Sequence, residues 1–65
     1  MNVELRRARN ASGKTQEQVA AEIKVSTLSY QRYEYGIREP SARTAIRIAD
    51  VLGVKSYQDF KKIFS

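Results

Sequence analysis

The chain has 65 residues, no cysteine and no histidine, and twelve basic against seven acidic side chains, a net charge of +5 at pH 7. The missing cysteines exclude a disulfide framework and a thiolate metal site, and the missing histidines remove the commonest general base and the commonest zinc ligand. A chain this short holds one small domain, residues 1–65, whose marginal core must come from tight helix packing.

No apolar run approaches the roughly 20 residues that a membrane-spanning helix requires. The N-terminus, MNVELRRARN, carries no hydrophobic signal region, so the expected setting is the cytoplasm with no membrane partner. The charge is uneven. Residues 1–14 hold Arg6, Arg7, Arg9 and Lys14 against Glu4, and residues 40–65 hold five cations against Asp50 and Asp59, whereas the middle is nearly neutral. Such a balance suits a polyanionic partner without demanding one.

The three glycines, Gly13, Gly36 and Gly53, and the one proline, Pro40, cut the chain into pieces of helical length. The first piece runs to about Ser12, with Met1, Leu5 and Ala8 on one face and Gly13 ending it. In TQEQVAAEI, Thr15 is an N-cap and Gln18 completes a capping box, and Val19, Ala20 and Ile23 form the apolar stripe. This second helix ends near Ile23 or Lys24. Ser26 opens a third that closes before Gly36. Ser41, after Pro40, caps a fourth, in which Ala45, Ile48, Ala49 and Leu52 recur at i, i+3, i+4, i+7. Ser56 caps a fifth, with Tyr57, Phe60 and Phe64 on one side. No segment alternates long enough to form a strand, so the fold is all-α, a compact bundle of about five short helices. The two or three residues between the second and third helices force a steep crossing, as in a helix-turn-helix spanning about residues 15–35.

The third helix poses a question, since Leu28 lies among small polar residues. At about 100° per residue, Tyr30 and Tyr33 fall together and define the inward side. Leu28, Gln31 and Arg32 then face outward, with Thr27 at the flank. This face suits a major groove: Arg32 can bond guanine bidentately, Gln31 or Thr27 can bond base edges, and Leu28 can lie against a thymine methyl. The bland alternatives are that Leu28 is an ordinary surface residue, or that the helix rotates to bury it and exposes a tyrosine.

TQEQVAAEIKVSTLSYQRYEYG followed by REPSARTAIRIADVLGV resembles the Cro and phage-repressor type of helix-turn-helix, the XRE family, from about Leu5 to Phe60. The features are Thr-Gln opening helix two, Val-Ser entering helix three, Glu34 and Gly36 closing it, Pro40-Ser41 opening helix four, and Ile48-Ala49 leading to Leu52-Gly53-Val54. The resemblance implies a lambda-repressor-like bundle that binds double-stranded operator DNA as a dimer and regulates transcription. It places Thr27, Leu28 and Arg32 at base-reading positions, with Gln31 and Ser29 beside them, and Gln16 at a phosphate. The expected backbone contacts are Lys14, Gln16, Ser26, Ser29, Arg38 and Arg43. Arg9 and Glu34 match a structural ion pair between helices one and three, expected to be partly buried and orienting.

The chain departs from the family at Lys14, which stands where an apolar residue is usual, and at Lys24, which stands where the helix-two turn usually has glycine. The turn often needs positive φ, at a cost of about 1 kcal/mol or more for a side chain. Tyr30 and Tyr33 replace aliphatics, and their hydroxyls need water or a partner, with the backbone phosphates within their expected reach. Phe60, Ile63 and Phe64 offer apolar surface for a homodimer, or else finish the core. No catalytic residues, metal, cofactor or small-molecule domain is expected, and no arrangement of carboxylates suggests an enzyme. The alternative function is a protein-interaction module on the same fold, such as an antitoxin or anti-regulator. An RNA reader is disfavoured because its aromatics would be exposed to stack on bases.

Overall fold

The computed structural model describes all 65 residues as five helices and no strand: α1 (Val3–Ser12), α2 (Gln16–Glu22), α3 (Thr27–Tyr35), α4 (Ala42–Val51) and α5 (Tyr57–Phe64). The Cα radius of gyration is 10.2 Å, against about 10.7 Å expected for a folded domain of this length. Each helix contributes to one core, formed by Leu5 from α1, Val19, Ala20 and Ile23 at α2, Tyr30 from α3, Ile48 and Leu52 at α4, and Ile63 from α5. The α2–α3 pair is the most extensively packed of all.

Every helix begins on a side chain that accepts a backbone N–H, which satisfies one of the donors a helix start leaves free. Thr15 and Gln18 form the reciprocal capping box, Thr15 Oγ1 accepting from the Gln18 amide at 3.0 Å and Gln18 Oε1 from the Thr15 amide at 2.8 Å. Ser26, Ser41 and Ser56 accept from Ser29, Thr44 and Asp59. The fifth cap is Asn2, whose Oδ1 accepts from the Leu5 amide at 2.9 Å. Sequence periodicity had placed Met1 on the buried face of α1; it lies before this cap and is exposed. Asn2 also joins three helix ends. Its amide nitrogen donates to the Ile63 carbonyl at 2.7 Å, and its backbone N–H donates to the Glu34 carbonyl at 2.7 Å.

Three helix ends share one closing motif. The chain folds back through a left-handed residue, and paired bonds run to carbonyls of the last turn. After α3 these are Gly36 to Tyr33 and Ile37 to Arg32; after α2 they are Lys24 to Ala21 and Val25 to Ala20. Gly36 has φ +74°, and a Cβ there would also meet the Met1 nitrogen at 3.2 Å. Lys24 adopts φ +63° and is the only non-glycine residue with positive φ. The expected strain of this turn is therefore present.

The α5 face differs from its expected stripe. Ile63 is the buried residue, Phe60 and Phe64 are half-buried and packed on each other at a centroid separation of 4.9 Å, and Tyr57 is exposed. Lys61 lies over the Tyr57 ring. Because Ile63 belongs to the core of its own chain, it is not available as dimer surface.

Candidate nucleic-acid interface

The orientation of α3 follows from which of its side chains are buried. Tyr30 and Glu34 are both fully enclosed, Tyr33 only partly. The inward side is thus centred between Tyr30 and Glu34 rather than between the two tyrosines, a turn of about 50° on the wheel. Tyr33 packs edge-on to Tyr30, with ring planes at 88°. The opposite side carries Leu28, 56% exposed, then Arg32, then Tyr35, 44% exposed. These three stand at i, i+4, i+7 and form a single ridge along the helix. Leu28 therefore does point away from the core. Tyr35 was missed in the sequence, although its spacing from Leu28 and Arg32 is the signal that marks it. Ser29 and Gln31 flank the ridge, Thr27 stands in the first turn nearer the inward side, and all three are half-buried.

Glu34 ties α3 to its neighbours. Its carboxylate accepts from Arg9 Nε at 2.5 Å and Arg9 Nη2 at 3.3 Å, and from Gln16 Nε2 at 3.1 Å. Arg6 Nε is 3.9 Å away. Arg9 in turn donates to the Lys14 carbonyl at 3.0 Å. Side chains from α1 and α2 thus converge on one acidic group of α3. Burial by itself would push the Glu34 carboxyl up; the hydrogen bonds from Arg9 and Gln16, the adjacent Tyr30 hydroxyl and the Arg9 charge outweigh burial and hold it below the usual carboxylate range. The hydrogen bond to Glu34 raises Arg9 against the effect of its own burial. Burial, then the neighbouring Glu34 carboxylate, pushes the Tyr30 hydroxyl far above the ordinary phenol range.

The Tyr30 hydroxyl is enclosed and makes no hydrogen bond of ordinary geometry, so it is not placed to reach a phosphate as expected from the sequence. Gln16 has both ends of its amide engaged, Nε2 with Glu34 and Oε1 with Gln31 Nε2 at 3.1 Å. Lys14 is paired with Glu22 at 3.0 Å, so a phosphate contact by Lys14 requires that exposed pair to open. The Ser26 hydroxyl is occupied in capping α3 and in a 2.9 Å bond to Ser29 Oγ. By contrast, Arg32, Arg38 and Arg43 are exposed and make no ion pair with any carboxylate. The arrangement is a short helix, held at its base by a buried polar cluster, presenting one guanidinium between a leucine and a tyrosine, with further unpaired arginines beyond its C-terminal end.

These features define a helix-turn-helix domain, with α2 as the supporting helix and α3 as the presented one. Residues 5–59 match the helix-turn-helix family model, and the chain belongs to that family, in its XRE branch. Over 46 residues it is 44% identical to the cryptic phage CTXphi transcriptional repressor RstR of Vibrio cholerae serotype O1. That match covers 71% of this chain and 41% of the repressor, so the chain spans less than half the length of this relative. No solved structure matches the chain significantly.

Proposed function

We propose that this chain is a sequence-specific regulator of transcription that binds double-stranded DNA, with α3 lying in the major groove. The observation that carries this reading is the Leu28–Arg32–Tyr35 ridge on a helix fixed from behind by the Glu34 cluster. Arg32 supplies the bidentate donor fork that guanine N7 and O6 accept, and Leu28 supplies an apolar contact for a thymine methyl. Thr27 and Gln31 complete the base-reading set. Arg38, Arg43, Gln16, Ser29, Ser26 and Lys14 form the backbone set, of which the two arginines are the most available. Phosphate contacts set register and base contacts specify.

One reading helix covers about one half-site. The proposed functional form is therefore a homodimer on a palindromic operator, its two α3 helices about 34 Å apart on successive turns. Phe60 and Phe64 are the candidates for its apolar contact. The similarity to a phage repressor favours repression, by a small regulator of phage, prophage or plasmid type. No catalytic role, cofactor or membrane partner is proposed, and no helix is long and apolar enough to cross a membrane.

A protein-interaction module is the second reading, favoured by one observation: Leu28 and Tyr35 place two large, partly apolar side chains on the exposed ridge. Selection of bound duplexes from a random pool at near-physiological salt separates the two, run beside a Leu28→Ala, Arg32→Ala double variant. A palindromic consensus that the variant loses supports the DNA reader. No enrichment, or enrichment that the variant leaves unchanged, removes α3 as the reader. Affinity for DNA should also fall steeply with salt, as counterion release requires.

A further inference from the structure

The turn between α2 and α3 carries one free side chain. Ile23 is buried, Val25 packs against the core, and the Ser26 hydroxyl is engaged with Ser29. Lys24 is left exposed. It is also the strained residue of the chain, with φ +63°. A left-handed backbone crowds the Cβ of any L side chain, whereas glycine takes it freely.

Nothing inside the protein compensates for a lysine there. Lys24 lines a shallow hollow with Glu22, Arg47 and Asp50, yet its ammonium pairs with neither acid. Glu22 is taken by Lys14 at 3.0 Å. The last carbonyls of α2 already accept backbone N–H groups, Ala21 from Lys24 and Ala20 from Val25, so they need no cation. Strain that persists without a partner inside the protein points to a partner outside it.

The position of Lys24 says which partner. It stands three residues before Thr27, where α3 begins, and Arg38 stands three residues after Tyr35, where α3 ends. With nine residues, α3 is about 13 Å long, against about 12 Å for the width of the major groove. Cations just before and just after this helix are spaced to meet the phosphates on the two walls of the groove. A lysine ammonium is a compact point charge on a flexible stem, suited to a phosphate rather than to a base edge.

We propose that Lys24 is a DNA-binding residue that contacts a backbone phosphate on the strand opposite the one met by Arg38, and that the strained turn is retained for this contact. This rests on the DNA-binding function proposed above. It belongs to this chain rather than to the family pattern, because the glycine usual at this turn has no side chain to offer.

The test measures affinity of the full chain for a selected duplex and for an unrelated one, at about 50 and about 200 mM salt. Lys24→Met keeps the strained side chain without its charge, Lys24→Gly removes both strain and charge, and Lys24→Arg keeps both. Lys24→Met and Lys24→Gly should each bind both duplexes severalfold more weakly at the lower salt. The gap to the wild type should shrink by about 3.5-fold at the higher salt, since one lost phosphate contact lowers the slope by about 0.9. Lys24→Arg should keep the wild-type slope. Lys24→Gly also controls for folding, because a more stable variant cannot bind weakly through unfolding. A single neutral methylphosphonate, moved along each strand in turn, locates the contact. One position should weaken the wild type and Arg38→Gln but leave Lys24→Met unaffected. It should lie on the other strand from the position to which Arg38→Gln is indifferent. If Lys24→Met keeps the wild-type affinity and slope, whatever Lys24→Gly does, the assignment of Lys24 is overturned while DNA binding stands. If the two indifferent positions fall on one strand, the opposite-strand placement is overturned. If the wild type binds no duplex, or binds without salt dependence, the DNA-binding function itself fails.

Discussion

Glu34→Gln is the most informative single change to the fold, because it alters the buried cluster without altering its shape. The wild-type carboxylate accepts three hydrogen bonds from donor-only groups, two from Arg9 and one from the Gln16 amide. A glutamine has one acceptor oxygen, and its NH2 group must face either the guanidinium or the Gln16 NH2. Arg9, whose side chain is only 14% exposed, loses its counterion, and where the NH2 faces it keeps only the Lys14 carbonyl. Removing one partner of a buried pair costs about 3–5 kcal/mol. A 65-residue domain at roughly 0.05–0.15 kcal/mol per residue has only about 3–10 kcal/mol in total. The variant should therefore unfold at much lower urea in a far-UV circular dichroism titration, with an unchanged m-value if it remains two-state. Arg9→Met should be destabilised comparably. The double variant Arg9→Met, Glu34→Met leaves no buried charge, so it should be more stable than the sum of the two losses predicts, by about 2 kcal/mol or more. A loss below about 1 kcal/mol for Glu34→Gln, the range of an exposed pair, would refute the account, as would strict additivity in the double variant.

The turn between α2 and α3 should gain from Lys24→Gly. Relief of the left-handed conformation is worth about 1–2 kcal/mol, and the added freedom of the unfolded chain takes back about 0.4–1 kcal/mol. The melting temperature should rise by roughly 2–8 °C, and a fall would show that the turn does not hold its positive φ in solution. Acid should act through Glu34. Its folded pKa lies below the ordinary 4.5, so its contribution is fully present above that value and is lost as pH falls through the lower, folded one. Urea midpoints should thus fall more steeply below about pH 4 in the wild type than in the Arg9→Met, Glu34→Met variant; parallel profiles would exclude this group as the cause. Finally, Arg38→Gln and Arg43→Gln should each weaken binding to all duplexes alike and reduce the salt slope by about 1. A change of preferred sequence in either variant would place that arginine among the base readers instead.

Much of the fold is legible in the sequence because its signals are local. Thr15 with Gln18, and Ser26, Ser41 and Ser56, announce helix starts by side-chain chemistry alone, and the i, i+3, i+4, i+7 pattern of α4 identifies its buried face. Asn2 escaped because a cap three residues before Leu5 competes with a pattern that extends the apolar face back to Met1. The rotation of α3 differs from the helical wheel because the wheel centres the inward side on Tyr30 and Tyr33, whereas Glu34, expected only to be partly buried in its pair with Arg9, is fully enclosed. A carboxylate is enclosed when donors from other helices converge on it, and those donors, Arg9 and Gln16, are distant in sequence. The same long-range pairing hid the engagement of Gln16 and of Lys14, whose partner Glu22 lies on the far end of α2. Leu28 was read correctly as outward for the opposite reason: its direction depends only on the helix period.

The placement of these polar groups explains why so small a domain keeps a buried ion pair. Apolar residues of similar volume would often be as stable there or more so. An apolar contact between α1 and α3 is, however, non-directional, and α3 could slide or rotate on it by a fraction of a residue at little cost. The Arg9 fork and the Gln16 amide fix the Glu34 carboxylate in distance and in plane, and Asn2 fixes the carbonyl of the same residue. Base reading depends on such placement, since a hydrogen bond weakens steeply once its geometry departs from about 3 Å and near-linearity. On this argument the double apolar variant should retain much of its stability but lose sequence preference, with affinity for unrelated duplexes largely kept. A variant that kept both its stability and its consensus would show that apolar packing alone is enough to hold α3 in place.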